Sequence, residues 1–582
     1  MKKLIIHHQE DLSLNDIISV GRHQMQVILA VETETLLRQR RQQIENFIQE
    51  QDTPAYGFNR GFGHNVDLPV QAEDLTKLQE NLILSHSVGV GDHAEKSIVR
   101  ITMLLRAKSL AKGYSGVRPE LILKIIEFLN FDIIPLVPQL GSVGASGDLS
   151  PLSHIALALI GHGKVLFQEE ILETQEALKK AGVKALKLAV KEGLALNNGV
   201  QFMNAMGLFA CQQIRVLLKS ECVQTSMVAQ VMLAPDMPYR PDFHQVRPHP
   251  GAIKAAGWIW ELMQNSPIRE VHRRYDIDGQ IQDPYNLRCA AQILGACAEL
   301  IDDAEKTLLI EANSATDNPI LMPYSNRMDE TQDRFSGEYV EIISGGHFHG
   351  MPVAVKIYHL FQALSIIGNL AHQRTVRFVD QAKNKRLGRD LKWPFLSDRQ
   401  KAISSGMMML EYTSAALVNE LWAAGTPSHL FNISTNSGQE DHVSMGSGLA
   451  VRLLQTIPKT AHIQAIELAY LTQAMTIRKA LKFIPSEIPV PSSVSQDLSS
   501  IRDKYQRDHI GFEINAIRQY QLSEADKQFS PSSEAVYEAV KRSIFPTVVE
   551  DRMMADQVCN LAEWISSGQM LMITDKHVPL RD

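Results

Sequence analysis

The chain has 582 residues, 45% of them hydrophobic and 21% charged, with 65 acidic against 58 basic residues and a net charge of -7. That is ordinary globular composition, which excludes global disorder and a coiled-coil rod; the length allows two to four domain-sized units or one long core of packed helices. No long single-sign block is present to track a phosphate backbone, so no nucleic acid is expected as a partner.

The start, Met1-Lys2-Lys3-Leu4-Ile5-Ile6, reaches His7-His8 after three apolar residues, too short for a signal-peptide core. No run of roughly 18 apolar residues follows, so neither a membrane span nor a membrane partner is expected, and the expected location is cytoplasmic. Five cysteines, Cys211, Cys222, Cys289, Cys297 and Cys559, form no CxxC pair and are odd in number. They fit neither a disulfide framework nor a zinc ribbon and are expected to be reduced and mostly buried.

Texture divides the chain into three stretches. Residues 1–205 set glycine clusters, Gly57-Phe58-Asn59-Arg60-Gly61-Phe62-Gly63 and Gly141-Ser142-Val143-Gly144-Ala145-Ser146-Gly147, between helical segments, as loops around a site require. Residues 206–483 read as a core of long helices: Val353, Ile357, Leu360, Leu364, Ile367 and Ala371 step by three and four, one buried helical face, and Ile463, Ile466, Tyr470 and Ala474 form another. Residues 484–582 open with Ile484-Pro485-Ser486-Glu487-Ile488-Pro489-Val490-Pro491, whose prolines preclude regular helix, and return to helical pattern around Ala535–Val540. Strand signals are few, so the fold class is mainly α.

The segment Gly141-Ser142-Val143-Gly144-Ala145-Ser146-Gly147-Asp148-Leu149-Ser150-Pro151-Leu152-Ser153-His154 carries the chemistry. Its central residues alone read as a turn before a helix, with Asp148 capping and Pro151 in the first turn. A phosphate loop is excluded, because neither a GK[ST] ending nor a GxGxxG followed by an acidic residue is present. As a whole the segment closely resembles the signature of the histidine and phenylalanine ammonia-lyase family. The resemblance covers nearly the whole chain and comes closest to the histidine lyases.

It implies a long helical bundle with an aspartase/fumarase-like core and a loop-rich N-terminal active-site domain. It also implies a prosthetic group, 4-methylidene-imidazol-5-one, made from the chain with no external cofactor. The amide nitrogen of Gly147 attacks the carbonyl carbon of Ala145, and two dehydrations, one using the Ser146 hydroxyl, leave an exocyclic methylidene. The residue types suit that chemistry: glycine permits the close approach, alanine is small, and serine supplies a β-hydroxyl to lose.

Partners follow in the family's order. Tyr56 matches the catalytic tyrosine, the base for the β-proton, and His86 the side-chain selectivity position, where a histidine hydrogen-bonds a polar ring substituent. Asn198 matches the asparagine that contacts substrate carboxylate and ring. Arg288 matches the arginine whose planar fork holds the carboxylate, with Tyr285 and Gln282 lining the ring and side-chain pocket. Phe348 matches an aromatic beside the ring, Glu440 the acidic residue near the substrate imidazole, and Met408 a histidine-type pocket position. Departures from the histidine-lyase pattern fall at Arg60, His64, Asn197, Val200, His347 and Met351, and at Ala290-Ala291.

The expected reaction is elimination of ammonia from an aromatic amino acid, L-histidine to urocanate first, by a homotetramer whose active sites are shared between subunits. The alternatives are a tyrosine lyase, an aminomutase, a lyase for another polar amino acid, or a non-catalytic scaffold relative. His347/His349 and Glu440/Asp441/His442 lack the spacing of a dedicated metal site, so no catalytic metal is expected.

Overall fold

The computed structural model describes residues 2–50, 57–58, 60–61, 67–275, 282–323, 340–385, 387–481, 483–487 and 517–581. The fold is mainly α. It divides into two compact units, each assembled from three stretches: Met1–Gln212, Asp302–Phe361 and Thr426–Gln455 in the first, Gln213–Ile301, Gln362–Gly425 and Thr456–Asp582 in the second. Four long helices, Gln201–Val231, Ala290–Ala312, Met351–Val379 and Gly446–Ala480, contribute residues to both.

Periodicity in the sequence anticipates these helices. Val353, Ile357, Leu360, Leu364, Ile367 and Ala371 are all fully buried on Met351–Val379, as are Ile463, Ile466, Tyr470 and Ala474 on Gly446–Ala480. Met351–Val379 is long and apolar enough, by length and composition, to cross a membrane, but half of its apolar window is already buried against this chain. A core helix passes that test as readily as a span, because a helix buried on several faces needs few charges.

Strands are short accessories. Lys2–Ile6 pairs in parallel with Met25–Leu29, and Lys164–Phe167 lies between Ile134–Pro135 and Glu170–Glu173. The proline-rich opening of the last stretch is not helical: Phe483–Glu487 is a strand paired antiparallel with Ile517–Gln521, and Ile488–Ser493 lie outside the described residues. The helix expected around Ala535–Val540 spans Pro531–Ser543, with proline at its first turn. All five cysteines are free; Cys211, Cys222 and Cys297 are buried and Cys559 is exposed.

The second unit encloses a charged core. Arg374, fully buried, donates through Nε to Glu467 Oε1 at 2.5 Å and through Nη1 to Thr225 Oγ1 at 2.7 Å, and its Nη2 pairs with Glu221. Two carboxylates thus share one guanidinium. Burial, with the neighbouring Glu221, pushes Glu467 up to about 8 against the pull of Arg374. Polar groups this deep are tolerated because each finds a partner.

Candidate active site

The tripeptide lies where the chain turns from the strand Pro138–Leu140 into the helix Leu149–Leu159. Gly147 has φ +79°, and a Cβ placed there would sit 2.1 Å from the carbonyl oxygen of Gly199 and 2.4 Å from its carbon. Gly147 and Gly199 form an isolated parallel bridge, and Asp148 N–H donates to Gly199 O at 2.7 Å. Only glycine meets both demands, the left-handed backbone and the backbone-to-backbone approach. Ala145 is 6% exposed.

Asp148 is not the helix cap that its position suggests: no side-chain capping bond is made. Its fully buried carboxylate instead accepts Met203 N–H at 2.8 Å and Ser142 Oγ–H at 2.8 Å, tying the tripeptide loop to the start of the helix Gln201–Val231. Burial raises its pKa to about 6, against the pull of these donors. On the other side Met445 N–H donates to Val143 O at 2.9 Å.

Ser146 faces outward from this cradle. Its Oγ–H donates to Glu440 Oε1 at 2.8 Å, and Asn198 Nδ2 donates to its carbonyl oxygen at 3.4 Å. Glu440 ends a tight hairpin: Thr435 and Glu440 exchange backbone hydrogen bonds of 3.0 and 3.3 Å, and Thr435 Oγ1–H donates to Glu440 Oε2 at 2.7 Å. Each carboxylate oxygen therefore has one fixed donor. His86, half-buried at the end of the helix Leu75–His86, feels the Glu440 charge; burial lowers its pKa while the Leu82 backbone and Glu440 pull it upward. The loop after His86 is pinned by Gly89 N–H donating to Nε2 of His154, at 3.1 Å.

Behind Asn198 lies a network that motif reading missed. Arg106, buried in an apolar helix, donates through Nε to Ala195 O at 2.7 Å and through Nη1 to Asn198 O and Gln201 Oε1, both at 3.0 Å, and to Thr316 O at 2.9 Å. Burial lowers this guanidinium to about 10, with Asp317 opposing. Asp317 in turn holds the buried Lys191 ammonium, both oxygens at 2.9 Å. The signal available in the sequence was an arginine amid Ile101-Thr102-Met103-Leu104-Leu105, a position no amphipathic pattern explains.

Asn198 follows the short helix Glu192–Asn197, and Phe348 is half-buried in the loop before Met351. Among the departures, Val200 is fully buried, Asn197 donates to Ser153 Oγ at 3.1 Å, Arg60 donates to Asp67 O at 3.0 Å, and His347 is exposed. Tyr56 and His64 lie outside the described residues. Ala145, Ser146, Gly147, Asn198, His86 and Glu440 thus come together in the first unit.

Gln282, Tyr285 and Arg288 belong to the second unit. Tyr285 opens a one-turn helix and is 66% exposed. Arg288 stacks its guanidinium 4.6 Å from the Tyr285 ring centroid and donates Nε–H to Asp283 O at 2.8 Å. Tyr239 OH donates to Leu287 O at 2.6 Å, which anchors the turn. Among the described residues no carboxylate pairs with Arg288. Met408 begins the helix Met408–Ala424 of the same unit.

The tripeptide fits the methylidene-imidazolone that the sequence resemblance implies. Gly147 is held at a left-handed φ against Gly199, where a side chain would clash, its amide makes no hydrogen bond among the described residues, and the Ser146 hydroxyl already lies on a carboxylate.

Residues 12–500 match the family model for aromatic amino acid lyase. The chain is 37% identical over 469 residues to histidine ammonia-lyase of Deinococcus radiodurans, covering 81% of this chain and 85% of that one. It is 33% identical over 562 residues to histidine ammonia-lyase of Symbiobacterium thermophilum, covering 96% of each. Tyrosine aminomutase from Streptomyces globisporus superposes with a TM-score of 0.81 at 27% identity, over 100% of both chains. The chain belongs to the aromatic amino acid lyase family. It is a carbon–nitrogen lyase, an ammonia-lyase acting on an amino acid.

Proposed function

We propose that the protein removes ammonia from L-histidine to give urocanate, using a methylidene-imidazolone formed from Ala145, Ser146 and Gly147. The observation that carries this reading is the pairing of the close Gly147–Gly199 backbone contact with a carboxylate, Glu440, beside the tripeptide. A carboxylate there accepts an imidazole N–H, an interaction an apolar ring cannot reciprocate. The histidine-named relatives support the same substrate.

Once formed, the ring supplies an electrophile that helps the amine leave or acidifies Cβ. Arg288 and Asn198 hold the substrate carboxylate, Tyr56 takes the β-proton, and His86 and Glu440 receive the imidazole. Gln282, Tyr285 and Phe348 line the pocket. Holding carboxylate and ring together makes proton removal effectively intramolecular, a contribution of up to roughly 7 to 11 kcal/mol for well-oriented groups.

The working form is a homotetramer in the cytoplasm, with sites completed by neighbouring subunits. The helix Met408–Ala424 supports association, since Met409, Tyr412 and Trp422 are 57, 59 and 64% exposed on it. The superposition on a tyrosine aminomutase favours tyrosine, to its unsaturated acid or β-amino acid, as the second reading.

The test is a panel of aromatic amino acids with wild type and Ser146→Ala, read by new absorbance of the unsaturated acid, together with peptide mass across residue 146. Expected are urocanate from histidine, loss of turnover in the variant and loss of two waters in the wild-type peptide. No urocanate, but product from tyrosine, replaces the first reading with the second. An intact tripeptide with no turnover points to the scaffold alternative.

A further inference from the structure

We propose that Glu440 is the acid–base group that strips the Ser146 hydroxyl during self-processing of the tripeptide, a role preceding any contact with substrate; this rests on the reading of the prosthetic group given above. Three features point there. The hydroxyl that must leave donates to Glu440 Oε1 at 2.8 Å, within the range for proton transfer. Oε2 is held by Thr435 Oγ1–H at 2.7 Å and the hairpin backbone closes around both residues, so the carboxylate is aimed rather than free. Asn198 Nδ2–H reaches the Ser146 carbonyl at 3.4 Å, which polarises the group next to Cα and makes the Cα hydrogen more acidic.

The step balances within the chain. The Ser146 Cα hydrogen leaves as a proton to the Glu440 carboxylate, and its bonding pair forms the Cα=Cβ double bond. The Cβ–Oγ bond breaks with its electron pair on oxygen, and the proton now on Glu440 passes to that oxygen. One water departs and the carboxylate is restored. Cα and Oγ are separated by a single carbon, so one carboxylate aimed at Oγ serves both ends of the elimination. Oε1 then loses its serine donor and becomes open to an N–H from substrate. The same oxygen serves maturation first and recognition afterwards.

The experiment follows peptide mass across residue 146 in full-length wild type, E440Q, E440D and E440A made by cell-free translation and sampled over time from the end of synthesis, with circular dichroism of the purified product to confirm folding. Ring closure and loss of the hydroxyl each remove one water, so the two steps separate by mass. Glutamine keeps the shape and can accept the serine hydrogen bond but cannot carry the proton. In E440Q and E440A the second water is expected to be retained or lost about 100-fold more slowly or worse, the usual contribution of a positioned acid–base group. E440D is expected to lose it faster than either. Loss of both waters from E440Q at the wild-type rate overturns the proposal while leaving the prosthetic group intact. Equal rates for folded E440D and E440A overturn it as well, even where E440Q does not fold. A wild-type peptide that loses no water overturns the prosthetic-group reading itself.

Discussion

Replacing Gly147 by alanine tests whether the tripeptide is held by backbone contact or merely by sequence context. The new methyl would sit 2.1 Å from Gly199 O and 2.4 Å from Gly199 C, atoms of a bridged backbone that cannot rotate away. Three costs combine. The left-handed φ of +79° costs an L-residue about 1–2 kcal/mol. Overpacking a closed site costs typically 1–3 kcal/mol. If the strands part, the Asp148 N–H to Gly199 O bond of 2.7 Å goes too, worth about 1 kcal/mol. The sum is roughly 3–6 kcal/mol. Gly182 is the control, since it has φ +69° at a helix end and a methyl added there would meet nothing within 4 Å, so its alanine variant incurs the first cost alone. Both substitutions belong in a Ser146→Ala background, so that no ring forms and only the cradle is measured. Urea midpoints at one protein concentration provide the comparison, so that the proposed association would weigh equally on both variants. G147A is expected to be less stable than G182A by at least about 2 kcal/mol. Equal midpoints would refute the cradle argument.

Other consequences follow from the buried charges. Arg374→Met leaves Glu221 and Glu467 buried without their shared guanidinium, and should destabilise by about 3–5 kcal/mol; denaturation that matches wild type would sink this. Asp148 titrates near 6 when folded and near 4 when unfolded, so the folded state binds the extra proton between those values. Its stabilising contribution is complete below pH about 4 and lost by about 6, roughly 3 kcal/mol in all. The midpoint of Asp148→Asn relative to wild type should therefore rise across that window and stay flat above it; a difference falling with pH contradicts the assignment. His86→Leu should reduce kcat/KM for histidine relative to phenylalanine by about fivefold, the value of one lost hydrogen bond near 1 kcal/mol. An unchanged ratio would remove His86 from the selectivity set.

Periodicity carried the long helices well, and for a physical reason. A face of Val353, Ile357 and Leu360 repeating at helical spacing has no other way to be buried, and each of those residues is fully enclosed. Texture along the chain carried less about its assembly. The Asp302–Phe361 and Thr426–Gln455 stretches return to the unit begun by residues 1–212, and nothing local in composition announces such a return. The strand at Phe483–Glu487 was equally illegible: prolines forbid helix there, but the partner that makes an extended segment a strand begins at Ile517, far along the chain.

The geometry of the candidate site was legible where residue type and order are constrained together, as at Gly147 with its left-handed φ against Gly199, and illegible where a side chain serves through others. Arg106 shows the difference. It touches Ala195, Asn198, Gln201 and Thr316, and so sets the turn on which Gly147 rests, yet in the sequence it is only a cation that closes the apolar run Ile101–Leu105, with Arg100 before it and Lys108 after. Asp148 shows the converse, because a capping position suggested one role and the distances give another: its carboxylate reaches Met203 and Ser142. Both residues act on the tripeptide by holding backbone. Such neighbours are needed because a glycine turn has no side chain of its own to lock it. The ring closure proposed for this tripeptide would therefore place its demands on buried polar residues such as these.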